Sequence, residues 1–388
     1  MGYFRERPNV SGVLQVVFQN LRSFGPPPRA LYAWGFNGDK DLGLEDNVAR
    51  SSPTQVGALT DWAIVQSAYE HTAAVKTDGT LWTWGSGSSG RGGRNSTTNA
   101  SSPIQVGALT NWSYVDTGES MCGAIKTDGT LWTWGSYGNG RLGQNNAENC
   151  SSPIQVGSLT DWAILVTGNA CLAVKTDGTL WSWGRYTNNG LGSGSDNVSS
   201  PTQIGSDTDW ANVGGAGLND SAAFAIKTSG AAYYWGGGRK GQRGDNSWEP
   251  EYKYTGGTTN QLGALTNWSD IKCRGETSYA IKTDGTMWSW GDDDSGLTGQ
   301  NTNGVNRSSP VQIGSLTTWE KVFPAYGIFA FAIKADKTLW AWGNGDKGEL
   351  GNNDSGTVRL SSPTQIGSLT AWTYIGAGQE DAFGLVES

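Results

Sequence analysis

The 388-residue chain contains one histidine and four cysteines, and each scarcity removes a class of chemistry. A serine–histidine hydrolase would have to be built on His71, which begins the strand-like part of "YEHTAAVKT" and reads as a buried structural imidazole. Cys122, Cys150, Cys171 and Cys273 form no CxxC pair and follow no regular spacing. They therefore read as free, buried thiols and not as a zinc site or a disulfide framework. Basic residues are also short, with 27 Lys and Arg against 35 Asp and Glu, and the net charge of −8 argues against a nucleic-acid surface. No apolar run approaches the ~18 residues of a membrane span. Near the N-terminus "VLQVVF" is broken by Gln15 and followed by no A-x-A-like site, so it is not read as a secretory signal and folding in a cytoplasm is expected.

Chemistry-bearing motifs are equally thin. "GDDDSG" (291–296) lacks the alternating D-x-D-x-D spacing and distal glutamate of a calcium loop and reads as a solvated turn. "GSGSSGRGGR" (85–94) precedes neither a helix nor Gly-Lys-Ser, so it reads as a loop and not as a phosphate cradle. No catalytic, cofactor-binding or metal residue is assigned, and the chain is read as a non-enzyme.

What the chain has in excess is glycine, at 58 residues, and tryptophan, at 20. The stretch "KTDGTLWTWG" (76–85) returns letter for letter at 126–135 and, with one change at Ser182, at 175–184. Seven Trp-Gly anchors follow from it: Trp34, Trp84, Trp134, Trp183, Trp235, Trp290 and Trp342, spaced by 50, 50, 49, 52, 55 and 52. A Ser-Pro-x-Gln-Val/Ile-Gly landmark follows six of them, and a lone tryptophan (Trp62, Trp112, Trp162, Trp210, Trp268, Trp319, Trp372) follows all seven.

Each unit reads as four strands, for example 62–68, 72–77, 80–85 and 103–107. Asp78-Gly79 is expected to be a two-residue type I′ turn. That register sets Thr77 opposite Thr80, Lys76 opposite Leu81, Val75 opposite Trp82 and Ala73 opposite Trp84. A four-stranded sheet of about 50 residues cannot cover both its faces alone, and radial stacking of seven such sheets is an all-β, seven-bladed propeller. The last unit ends after two strands while the first begins at "ALYAWG" (30–35) with the third. Two plus two strands close the ring, with Leu385 and Val386 expected beside Leu31 and Trp34. Residues 30–388 are assigned to the propeller and 1–29 to an N-terminal arm with a Gly-Pro-Pro-Pro spacer.

The run "TGESMCGAIKTDGTLWTWGSYGNGRLGQ" (117–144), repeated with this period, resembles the repeats of the regulator of chromosome condensation (RCC1) family. The resemblance implies a seven-bladed disc that binds other proteins with its loops, in roles as different as nucleotide exchange, ultraviolet sensing and β-lactamase inhibition. No β-wedge insertion and no Gly-Trp-Arg-His-Thr run is present, which speaks against the first two roles. The wording of the repeats looks most like bacterial and bacteriophage copies. It implies a virion structural or host-contacting protein, with a cellular regulator or inhibitor capping a globular partner as the alternative.

Partner contacts are expected where the repeat breaks. The fifth unit does so at 233–263, adding Arg239, Lys240, Arg243, Trp248, Tyr252 and Tyr254, of types enriched in binding hot spots. "FPAYGIFAF" (323–331) is expected to pack into the core. The arm carries Arg5, Arg7, Arg22 and Arg29 against Glu6, so the first thirty residues are +3 and the rest −11 of the net −8. Its apolar residues Val13, Leu14, Val16, Val17, Phe18 and Leu21 are expected to anchor the propeller to other virion proteins by strand addition. A host surface molecule is the outward partner in that reading.

Overall fold

The structure is a computed structural model that describes residues 27–38, 40–185, 197–215, 222–248, 259–326, 328–354, 356 and 358–388. The arm residues Val13 to Leu21, and Tyr252 and Tyr254, lie outside them. Seven separate four-stranded antiparallel sheets follow the repeat. Blade 1 comprises Trp62–Ser67, His71–Lys76, Leu81–Gly85 and Ala100–Gln105. Blades 2 to 6 begin at Trp112, Trp162, Trp210, Trp268 and Trp319. Blade 7 joins Trp372–Ala377 and Asp381–Glu387 to Arg29–Gly35 and Arg50–Gln55, which is the expected two-plus-two closure. Leu385 lies opposite Leu31 as expected; Val386 meets Ala30, and Trp34 faces Ala382.

The first strands of neighbouring blades touch one another all the way round and so form the wall of the central channel. The fourth strands are the outer edges. Pro103 and its equivalents sit in those edge strands, where a missing N–H costs no ladder bond and discourages pairing with another chain.

The turn between the second and third strands differs from the expectation. Asp78 keeps a negative φ and only Gly79 is left-handed, at +78°. The Gly79 N–H donates to Lys76 O at 2.9 Å and the Lys76 N–H to Thr80 O at 3.0 Å, which makes a three-residue loop with a glycine bulge. The Asp78 carboxylate selects this shape. It accepts from the Thr80 N–H at 2.9 Å and from Thr80 Oγ1 at 2.6 Å, and Thr80 Oγ1 in turn accepts the Trp82 indole N–H at 2.8 Å. One extra loop residue shifts every pair by one: Val75 faces Leu81, Ala74 faces Trp82, Ala73 faces Thr83 and Thr72 faces Trp84.

The shift settles which face packs where. Trp84 and Ala74 turn back toward Leu31, Phe383 and Leu385 of blade 7, whereas Ala73, Val75 and Leu81 turn forward onto Trp112 and Trp134 of blade 2. All seven anchor tryptophans are at most 2% exposed. Each buries roughly 150 to 250 Å², about 4 to 6 kcal/mol of gross stabilisation at ~25 cal/mol/Å². Their indole N–H groups also tie blades together. Trp134 donates to Arg91 O at 2.9 Å, Trp183 to Arg141 O at 2.9 Å and Trp290 to Gln242 O at 2.8 Å, each carbonyl belonging to the preceding blade.

Such close approach explains the glycine that ends each "RLG"-like triplet. Gly93 has φ +66°, and a Cβ there would lie 2.7 Å from Trp134 Nε1. The lysine that opens "KTDGT" has a role that sequence reasoning missed. Lys126 Nζ sits 3.6 Å from the ring centre of Trp132 and 4.8 Å from that of Trp112, and the same clamp recurs in blades 1 to 6.

Candidate protein-interaction face and channel mouth

Antiparallel strands put the loops after the first and third strands of every blade on one face, and the tight turns on the other. The long loop after Trp235 belongs to the loop-bearing face. Within it Lys240 reaches over to blade 5, where its Nζ lies 3.1 Å from Asp292 Oδ1 and 4.0 Å from Glu276. Arg243, 5% exposed, is folded onto its own loop, with NH2 donating to Ser247 Oγ at 2.8 Å and Nε 3.1 Å from Asp245. These two expected contact residues therefore hold the loop in place. Arg239 is exposed, and Trp248, the one tryptophan outside the repeat slots, is 50% exposed.

The acidic run at 291–296 is not a solvated turn. Asp293 is fully buried: its Oδ1 accepts from the Thr298 N–H and hydroxyl at 3.1 and 2.5 Å, and its Oδ2 from Thr302 Oγ1 and the Val305 N–H at 2.7 and 3.1 Å. The carboxylate organises a loop whose backbone donors would otherwise be unpaired. Asp292 is also buried, and only Asp294 faces solvent. No group of three or more His, Cys, Asp or Glu suited to a metal occurs among the described residues.

The channel mouth on the same face is closed by residues from six blades. Arg274 ends the first strand of blade 5 and crosses the channel. Its NH1 donates to Ala377 O of blade 7 at 3.1 Å and to Ser67 O of blade 1 at 3.3 Å, and its NH2 stands 3.8 Å from Asp116 Oδ1 of blade 2. Asp116 Oδ2 accepts the Thr167 N–H of blade 3 at 2.6 Å and its hydroxyl at 2.9 Å. Tyr326, after the first strand of blade 6, stacks on the Arg274 guanidinium at 4.5 Å and donates to Thr117 O at 3.0 Å. Tyr69 meets the Tyr326 ring edge-on at 5.3 Å. Burial raises the Asp116 carboxyl pKa, and the Arg274 charge and the Thr167 donors pull the other way.

"FPAYGIFAF" is largely core, as expected, with Phe329 and Phe331 fully buried, but its tyrosine is part of this mouth. His71 is 1% exposed, its Nε2 3.4 Å from Met121 O, and burial beside Arg91 lowers its pKa to about 3. The imidazole is neutral and sealed. All four cysteines are free and buried, and burial pushes Cys171 up to about 12 and Cys273 to about 11.

The RCC1 repeat model ("Regulator of chromosome condensation (RCC1) repeat") matches residues 30–75, 78–125, 128–168 and 336–383. The human E3 ubiquitin-protein ligase HERC2 is 31% identical over 149 residues, which are 37% of this chain; the match spans 3% of that relative's length. The structure of Kap60 bound to yeast RCC1 (Prp20) superposes with a TM-score of 0.85 at 17% identity, covering 100% of this chain and 95% of that one. Prp20p from Saccharomyces cerevisiae, described with its binding properties to Gsp1p and histones, gives 0.82 at 16%, covering 95% and 94%. Those likenesses bear on the fold alone. With seven anchors at one register and a ring closed by strands from both ends, this chain is a seven-bladed β-propeller whose matched segments are similar to RCC1 repeats.

Proposed function

We propose that the chain is a non-enzymatic scaffold that grips a globular protein partner with its loop-bearing face, around the loop that follows Trp235. One observation carries the reading. Nineteen of the 20 tryptophans fill repeat slots, whereas Trp248 stands half in solvent on the same loop as the exposed Arg239. An aromatic and an arginine held on a braced loop are what a binding hot spot requires. Prp20p from Saccharomyces cerevisiae, which has the same architecture, is described with its binding properties to Gsp1p and histones. The sealed neutral imidazole of His71 supports the non-enzymatic part.

The test is affinity capture with the purified chain, comparing wild type with Trp248→Ala and Arg239→Ala. Loss of one stoichiometric partner in both variants, with thermal stability unchanged, supports the reading. Retention of every captured protein by both variants refutes it. A second reading, a virion component made in the host cytoplasm and anchored through residues 1–29, is favoured by the apolar stretch 11–21 joined through the Pro-rich spacer. Co-sedimentation with particles, abolished by deleting residues 1–26, is its test. A folded variant that still co-sediments ends it.

A further inference from the structure

Six of the seven joints between neighbouring blades keep their bridging loop among the described residues, and five of the six are fastened alike. At anchor depth the indole N–H of Trp34, Trp134, Trp183, Trp290 and Trp342 donates to a carbonyl of the preceding blade, at 2.8 to 2.9 Å. In blades 2, 3 and 5 the residue opposite the anchor gives the same carbonyl a second donor: Cys122 and Cys171 Sγ at 3.5 Å and Ser278 Oγ at 2.8 Å. Further out, Asn95, Asn145, Asn246, Asn301 and Asn353 each donate a backbone N–H at 2.7 Å to a serine carbonyl in the fourth strand of the next blade. All five are left-handed, with φ from +53° to +65°, a conformation that asparagine tolerates better than most residues.

The joint from blade 7 to blade 1 departs at every level. Trp84 is 1% exposed, and its indole N–H has no acceptor among the described residues. Packing is kept, since a Cβ on Gly43 would lie 3.0 Å from Trp84 Nε1, but the hydrogen bond is not. Thr72, opposite this anchor, turns its hydroxyl to Ser67 Oγ at 3.3 Å, and Ser67 Oγ donates to Asp381 Oδ1 of blade 7 at 2.9 Å. At the rim Glu45 stands where the other five joints have asparagine. It is held left-handed at +64°, where a glutamate is strained, and its N–H reaches Ser101 O at 3.0 Å, longer than in the other five.

The fastening of this joint has moved toward the axis. Beside the channel Gln66 Nε2 donates to Tyr374 OH at 2.9 Å, and Arg274 holds the Ser67 and Ala377 carbonyls of the two blades together. A buried donor without an acceptor costs free energy that separation returns, because water then satisfies it. Strain at Glu45 is released by the same movement.

We propose that the joint between blades 7 and 1 is the hinge of the ring: the blade 7 loop carrying Leu42 to Glu45 lifts off blade 1 at the rim while the contacts beside the channel hold. Local opening is drawn from the least stable part of a fold, and here that part is one joint. Lifting the loop uncovers Leu42, Trp84 and Ala100, which pack together in the closed ring.

Amide hydrogen exchange of the wild-type chain at pH 7, corrected for intrinsic rates, tests it. The Glu45 N–H should exchange about tenfold or more faster than the matching N–H groups of Asn95, Asn145, Asn246, Asn301 and Asn353. Trp134→Phe takes a donor from the Arg91 carbonyl, whereas Trp84→Phe removes a donor that has no acceptor, so the first should lower the melting temperature more than the second. Protection of Glu45 within about threefold of the five asparagines, which needs no variant to fold, overturns the proposal. So does a loss in Trp84→Phe as large as that in Trp134→Phe.

Discussion

Replacing Arg274 by methionine keeps the length of the side chain and removes its charge and donors. In the wild type the guanidinium serves two backbone carbonyls and stands opposite Asp116, whose side chain is 4% exposed against 18% for Arg274, so solvent screens the pair little. Breaking a buried pair from one side leaves the other charge stranded, which costs about 3 to 5 kcal/mol. Chemical denaturation should thus put Arg274→Met about 3 to 5 kcal/mol below wild type at pH 7.

The sign of the pH dependence is fixed by Asp116, whose carboxyl pKa is already raised by burial. Without Arg274 it rises further. A raised acid loses its stabilising contribution as pH climbs through the folded pKa, so the deficit of the variant should be larger at pH 8 than at pH 4.5. Asp116→Asn in the Arg274→Met background should recover part of the loss, with a coupling of about 1 to 3 kcal/mol in a double-mutant cycle. A deficit under about 1 kcal/mol, or additivity of the two changes, would show that the cross-channel contact contributes no net energy.

Gly93→Ala should cost about 1 to 3 kcal/mol by thermal or chemical unfolding, because it adds a left-handed penalty and drives a methyl against Trp134 Nε1. The same change at Gly107, where φ is also positive but nothing lies within 4 Å, should cost less; equal costs would remove the indole from the explanation. The His71 ring should not titrate by NMR between pH 5 and 8, since its pKa is lowered to about 3. A base with a lowered pKa contributes stability above its unfolded value, near 6.5, and loses it progressively down to 3, so His71→Gln should flatten the stability profile across that window.

The repeat made the fold legible. Anchor spacing gave the blade number, and the half units at both ends gave the closure, because packing imposes the same demand on every copy. The turn register was legible only in part. Asp-Gly is the strongest two-residue hairpin signal, but here Thr80 completes a side-chain network with Asp78 and Trp82 that favours a three-residue loop. The channel mouth was not legible from one unit, since Ser67, Asp116, Arg274, Tyr326 and Ala377 come from five blades. A signal did exist in the alignment of first strands. Six residues after the lone tryptophan stand Ala68, Gly118, Gly168, Ala216, Ala325 and Gly378, and only the fifth blade puts an arginine there. The burial of Asp293 was hidden because three consecutive aspartates look alike until the loop backbone shows which one turns inward.

The indole of Trp34 donates at 2.8 Å to Glu349 O, 315 residues further along the chain. During synthesis at about 5 to 20 residues per second, that partner leaves the ribosome roughly 15 to 60 s after the tryptophan does. Trp84 waits on a strand made later still, through Phe383, whereas the anchors of blades 2 to 6 close on a blade already made. The strand Arg29–Gly35, the first among the described residues, is consequently the last to be sheltered, and Leu31, Ala33 and Trp34 stand bare throughout translation unless a holding chaperone covers them. Shortening the chain from its C-terminal end should for that reason produce aggregates and not a smaller disc.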